Sequence, residues 1–322
     1  MRKMLGLGLM LLVGGCGSSQ PGPSGDGGGG NPHNWLAGGH GTLAQSSDGV
    51  HYTLGSSAGS NADLYALYCV GRDVGWAAGD QGTFLSTVDG GATWAAQASG
   101  VEVALRAIAF ADPSLGIVVG DAGTVLRSTD GGAHLSAVAL PAVFDGTAFR
   151  AAAIARDRSL AWIAGDDVVL RSTDGGQHFA TVAGLPALRW SGIKFAADAQ
   201  HGVLVGEAGA TWVTSDGGLT WSAATTAPAD LRSVSITGDG TRIVAVGAAG
   251  LVWRSVDGGA TFAKVQTAGA DLLAVGFMEE LPAQGWAVGV SGTIVHTSNG
   301  GANWEKLEAP LVVDYAAIED FN

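Results

Sequence analysis

Carboxylates at a fixed spacing are the first residues in this 322-residue chain that could do chemistry. Asp48, Asp89, Asp130, Asp174, Asp216 and Asp257, with Asn299 in a seventh copy, stand 41, 41, 44, 42, 41 and 42 residues apart. Carboxylates could work as general acid and base, but the residues around these point elsewhere. The fullest copy reads Thr214–Ser215–Asp216–Gly217–Gly218–Leu219–Thr220–Trp221. Others run Thr87–Trp94, Ser128–Leu135, Ser172–Phe179, Ser255–Phe262 and Thr297–Trp304, with a shorter copy at Ser46–Tyr52. A hydroxyl leads in, the Asp side chain can accept from backbone N–H groups ahead of it, and two glycines supply positive φ. An aromatic residue usually follows as an apolar anchor. Each carboxylate-to-amide bond is worth about 1.5–3 kcal/mol. Seven equivalent copies describe a turn that clasps a hairpin, and no catalytic residue is assigned to them.

The other reactive types give no site either. His33, His40, His51, His134, His178, His201 and His296 lie singly, without metal-ligand spacing, and His134 and His178 merely replace Thr inside two boxes. Gly55–Ser56–Ser57–Ala58–Gly59 fits the G-x-S-x-G pattern of a nucleophile elbow, but no helix follows it. The glycines at 27–30 lack the strand, helix and Lys of a phosphate loop. No metal and no cofactor is expected. A net charge of −13 repels phosphate backbones, so nucleic acid is not an expected partner.

The spacing itself dictates the elements that carry the boxes, since a period of about 41 residues is the signature of a repeat architecture. Upstream of each box runs a short apolar strand ending in Gly: Trp35–Gly38, Trp76–Gly79, Ile117–Gly120, Trp162–Gly165, Val203–Gly206, Val244–Gly247 and Trp286–Gly289. A bend, usually closed by a second Gly, then leads to another apolar strand and the box. Asp166–Asp167 makes that bend shorter and lacks the Gly. A further strand precedes six of the seven Gly-ended strands: Leu64–Cys69, Leu105–Phe110, Phe149–Ile154, Trp190–Phe195, Leu231–Ile236 and Leu272–Phe277. Its seventh copy sits at the other end of the chain, in Val313–Phe321. The order within a unit is therefore strand A, strand B, bend, strand C, box, strand D.

Complementary partial units at the two ends predict a closed ring: an all-β, seven-bladed β-propeller of four-stranded antiparallel blades. The C-terminal strand joins the N-terminal blade and removes the free edge. Seven of the ten Trp residues fall in strand B or at the end of a box, where they are expected to pack blade on blade. Cys69 is expected to be a small buried hydrophobe in strand A.

Arg106, Arg150 and Arg232 occupy one place in strand A of three blades, and Arg189 lies one residue out of register. Strand A lines the channel of a propeller, so these arginines belong at one channel mouth. The B–C bends open on the same face and carry Asp80, Asp121, Asp166, Asp167 and Glu207. Two readings stand: Arg–carboxylate pairs between loops, or a polar mouth that binds an acidic segment of a partner protein.

Three resemblances add to this. Met1–Arg2–Lys3, the apolar run Met4–Val13 and Val13–Gly14–Gly15–Cys16 resemble the leader and lipobox of bacterial lipoproteins. That implies a signal peptide over 1–15, acylation of Cys16 and attachment to the membrane through the lipid. Gly17 in place of Asp favours the outer over the inner membrane. Residues 17–33 are Gly-, Ser- and Pro-rich and read as a tether behind Cys16, with the propeller over 34–322. The box is similar to the Asp-box, or BNR, repeat of sialidases, yet the sialidase Arg–Ile–Pro signature and Tyr–Glu pair are missing. The longer unit, best seen from Gly285 to Trp304, looks like the photosystem II assembly and stability factor family of seven-bladed propellers. That resemblance implies a non-enzymatic scaffold or assembly factor that binds a protein of the cell envelope through an arginine-lined face. Equivalent places in this chain hold Tyr65, Ser191 and Leu273, so the family's face transfers only in part. A glycan-binding module or a sialidase-like glycoside hydrolase is the alternative.

Overall fold

The computed structural model describes residues 34–55, 59–266, 269–279 and 281–320. The leader, Cys16, the tether and the Ser56–Ala58 part of the G-x-S-x-G match lie outside the described residues. Seven four-stranded antiparallel sheets form the ring expected from the repeat. Blade 3 shows the common plan: strand A Leu105–Phe110, strand B Gly116–Gly120, strand C Val125–Ser128 and strand D Ser136–Ala137.

Strand position explains strand composition. Strand B is buried over all five residues in blade 3 and again in blades 4 to 7, because a neighbouring blade covers each face. Its residues are therefore apolar without alternation. Strand D is the outer edge, two exposed residues long in every blade except blade 6. Short edges of this kind offer little to a passing chain. Strand A of each blade lies against strand A of the next, and the last against the first, so these strands surround the central channel.

Aromatic stacking holds blades together at two of the boundaries. Trp76 of blade 2 stacks on Phe110 of blade 3 at 3.5 Å between ring centroids, and Trp162 of blade 4 stacks on Phe195 of blade 5 at 3.6 Å. Cys69 takes the place of those Phe residues in blade 2 and packs, half-buried, against the cluster containing Trp35 of blade 1.

The ring closes as the partial units require. Tyr315–Asp320 at the C-terminal end pairs antiparallel with Asn34–Gly38 and completes blade 1. This strand begins two residues later than expected, because the Val313 carbonyl instead accepts from Gly292 N at 2.7 Å in the bend of blade 7. Across the closing seam, Trp286 Nε1 donates to the Gly49 carbonyl at 2.6 Å.

The B–C bends are tight turns with one left-handed residue, such as Ala208 at φ 52°, followed by Gly209 at φ 71°. A Cβ on Gly209 would collide with the Ala227 carbonyl, so the close approach of the next connection requires glycine there. Asp166–Asp167 makes a two-residue hairpin instead, with Gly165 paired to Val168 and Asp167 at φ 63°.

Candidate functional site at the channel mouth

The two ends of the ring carry different chemistry, beginning with the boxes at the end where strand A turns into strand B. Thr214 Oγ1 donates to Asp216 Oδ1 at 2.8 Å and accepts from Gly218 N at 3.1 Å. Asp216 then accepts from Thr220 N at 3.0 Å and from the Thr220 hydroxyl at 2.6 Å. His178 fills the Thr role in blade 4, its Nδ1 lying 2.7 Å from Asp174 Oδ2. Asn299 keeps the same geometry without charge, accepting from the Thr297 hydroxyl at 3.0 Å and Asn303 N at 2.9 Å. The boxes are turns, and they are also latches between blades. Trp35, Trp76 and Trp162 each donate Nε1–H to the carbonyl of a box Gly in the following blade (Gly90, Gly131 and Gly217). Arg127, Arg171 and Arg254 do the same with Nε toward Gly175, Gly217 and Gly300.

Hydrogen bonds hold all six box carboxylates below their ordinary pKa. The Thr93, Thr220 and Thr261 side chains and amides bring Asp89, Asp216 and Asp257 to about 2, and the His134 amide and ring do so for Asp130. Asp48 and Asp174 are lowered further, each most strongly by the amide of the His that closes its box. A carboxylate lowered in the folded state stabilises the fold above its unfolded pKa and loses that effect as pH falls through the folded value. Thermal unfolding from pH 7 to pH 2 should therefore show a fall in midpoint concentrated below about pH 4. Asp216→Asn, which copies the uncharged box at Asn299, should make that fall shallower; a midpoint independent of pH in this range would show that the boxes do not act through ionised carboxylates.

The opposite end is the predicted mouth. Arg106, Arg150 and Arg232 line one cavity of about 160 Å³ with Tyr65 and Ser191, and the cavity continues down the channel to Lys194 and Glu319. Each arginine has a carboxylate partner. Arg106 meets Asp121 in a two-bonded fork, with Nη2 to Oδ2 at 2.6 Å, and Arg150 meets Asp166 likewise, with Nε to Oδ1 at 2.9 Å. Arg232 reaches Asp271 of the next blade at 3.1 Å. Arg189 does not line the cavity. It sits on the rim, bridged to Asp166 through the backbone, with its guanidinium 3.8 Å from Asp230 and its amide donating to Glu207. The loop pairs expected from sequence are thus present, and Arg106 holds the Asp121 carboxyl below its usual range. Tyr65, whose ring centroid lies 5.2 Å from the Arg106 guanidinium carbon, donates to Asp80 at 2.8 Å. Burial, with Asp80 as acceptor, pushes its hydroxyl up to about 12.

Sequence reasoning missed one set of carboxylates on this face. Asp63, Asp230, Asp271 and Asp314 stand just before strand A and accept from the amide of the left-handed bend residue of the preceding blade: His40, Ala208, Ala249 and Ser291, at 2.7–2.8 Å. Their signal was an Asp at the same repeat position in four of seven units.

Deeper in the channel, Lys194 of blade 5 reaches Glu319 of blade 1 at 3.8 Å, and its Nζ lies 5.7 Å from the Tyr68 ring centroid. Burial pushes the Glu319 carboxyl upward against the pull of Lys194. Arg156 of blade 4 pairs with Glu279 of blade 7 at the box end. These contacts run between blades on opposite sides of the ring and obstruct the channel from that end. Among the described residues no group of three or more His, Cys, Asp or Glu is arranged to hold a metal ion.

Comparison with known proteins agrees with this architecture. The family model described as photosynthesis system II assembly factor YCF48 matches residues 87–189 and 185–270. No curated protein matches the chain. Among solved structures, "YCF48 bound to D1 peptide" is 19% identical with a TM-score of 0.61, over 80% of this chain and 90% of that one. YCF48 from Cyanidioschyzon merolae is 19% identical with a TM-score of 0.62, over 79% and 87%. The GH74 xyloglucanase from Xanthomonas campestris is 15% identical with a TM-score of 0.66, over 87% of this chain but 56% of the enzyme. At these identities the three structures show a shared fold and nothing finer.

Proposed function

The chain belongs to the family of the photosynthesis system II assembly factor YCF48, and from that premise we propose that it is a non-enzymatic, protein-binding propeller anchored in the cell envelope. The observation that carries the proposal is the group of three guanidinium groups around one channel mouth. Arg106 and Arg150 commit two of their five N–H donors to Asp121 and Asp166, and their side chains remain 29% exposed. An acidic segment of a partner can bond end-on to the remaining donors without displacing those carboxylates. A solved structure with this fold is described as YCF48 bound to a D1 peptide.

Hydrolysis is the weaker reading of the same face. A glycosidase needs two carboxylic groups facing each other across the substrate. Here Asp80, Asp121, Asp166, Asp230 and Asp271 each accept from an arginine, a tyrosine or a bend amide. The anchor rests on the leader and on Cys16, and the Gly-rich tether of about 18 residues would hold the ring some 25 Å from the lipid. Gly17 supports the outer membrane. In-cell cross-linking followed by purification of the propeller tests the proposal: a reproducible protein partner is expected, and its absence would contradict it.

A further inference from the structure

In a repeat protein, residues that follow the repeat report on the fold, and a local departure from it asks for another explanation. On the box end, one such departure lies between blades 3 and 4. The residue that closes the box on its Asp is Thr in boxes 2, 5 and 6 (Thr93, Thr220 and Thr261), Asn303 in box 7 and His51 in the shortened box 1. Boxes 3 and 4 carry His134 and His178, the one pair of adjacent boxes with two histidines. Both rings line a cavity of about 420 Å³, together with Arg127, Gln177, Thr129 and Ser136. That volume falls within the ~300–1,000 Å³ typical of small-molecule sites.

The hydrogen-bonding state of this cleft is set by its surroundings. His134 Nδ1 lies 2.6 Å from Asp130 Oδ2, and His178 Nδ1 lies 2.7 Å from Asp174 Oδ2. With Nδ1 facing a carboxylate, each ring has Nε2 as its remaining polar atom for a ligand in the cleft. Arg127 spends Nε on the Gly175 carbonyl and keeps its terminal N–H groups. Gln177 donates its amide N–H to the Asp174 carbonyl and keeps its own carbonyl oxygen. The hydroxyls of Thr129 and Ser136 can both give and take a proton. The cleft thus offers both donors and acceptors, beside an apolar wall of Ala137, Val138 and Ala139.

We propose that this cleft binds a neutral glycan. A sugar hydroxyl both donates and accepts, so vicinal hydroxyls can satisfy an imidazole Nε2 in either role together with an arginine or hydroxyl donor, while the C–H face of the ring meets Ala137 and Val138. An anion would meet the charges of Asp130 and Asp174, and a simple cation would meet Arg127. The cleft is on the face opposite the arginine mouth, so this inference does not depend on the protein-binding proposal.

The test is binding of purified protein to immobilised neutral oligosaccharides, with heparin fragments and inorganic phosphate as charged probes. The His134→Thr/His178→Thr double variant restores the residue that other boxes use, so the clasp and the fold are kept. Retention on a neutral oligosaccharide, weakened about tenfold or more in the double variant, is the expected result. Equal retention by the double variant, retention on the charged probes alone, or no retention at all would each overturn the proposal. Substitutions at Arg106, Arg150 and Arg232 should leave this binding unchanged.

Discussion

A chain ending before Tyr315 should lose cooperative unfolding near the native midpoint and associate into oligomers. Tyr315–Asp320 is strand A of the blade whose other strands come from the N-terminal side. Removing it uncovers Leu36 and Ala37, both fully buried in the intact ring, and discards Tyr315 and Ile318, at 0% and 5% exposure. Burial of one side chain of that size is worth about 1.5–3 kcal/mol. A folded domain keeps only about 5–15 kcal/mol in total. Strand B of blade 1 would also become an unpaired apolar edge, which is a template for another chain. Calorimetry with size-exclusion chromatography checks both consequences; a monomer with an unchanged midpoint would show that the seam does not hold the ring.

Trp162→Ala should have the largest effect of any single substitution inside the ring, about 3–5 kcal/mol. Trp162 is fully buried, stacks on Phe195 of the next blade and donates to the Gly217 carbonyl at 3.1 Å. The lost hydrogen bond is the smaller part, because Arg171 Nε still donates to the same carbonyl at 2.7 Å. The cost comes from the cavity left between two blades that cannot close around it independently. A shift of the unfolding midpoint by about 5–8 °C is expected for a domain of this size. A shift of one or two degrees would mean that the blade boundary repacks and that the ring is not rigid there.

The fold was legible because one pattern is written seven times. Strand A of blades 3 to 7 has the bounds that the repeat predicts, and the bend that is one residue shorter at Asp166–Asp167 is a two-residue hairpin. The site was legible only in part. Register along strand A brings Arg106, Arg150 and Arg232 to one mouth and leaves Arg189 on the rim. Which carboxylate each arginine meets depends on bend geometry: Arg150 stays within its blade at Asp166, whereas Arg232 crosses to Asp271. Pairs such as Lys194–Glu319 and Arg156–Glu279 link blades on opposite sides of the ring, so no local spacing announces them. The box carried a second duty that was equally hidden. Trp35 reaches Gly90, Trp76 reaches Gly131 and Trp162 reaches Gly217, each 55 residues ahead, which makes the turn of one blade the latch of its neighbour.

The two ends of the ring therefore divide the work between them. Carboxylates at the box end satisfy their own turns, while those at the mouth orient arginines that keep donors facing solvent. The mouth is where a partner's acidic segment is expected. The most direct measurement is the amount of cross-linked partner recovered from cells by the intact protein and by an Arg106→Gln/Arg150→Gln/Arg232→Gln variant of equal folded abundance. At least about a tenfold lower recovery is expected with the variant, since three charge-assisted contacts are removed. Equal recovery would contradict a partner site at the mouth and would take the binding surface away from the channel.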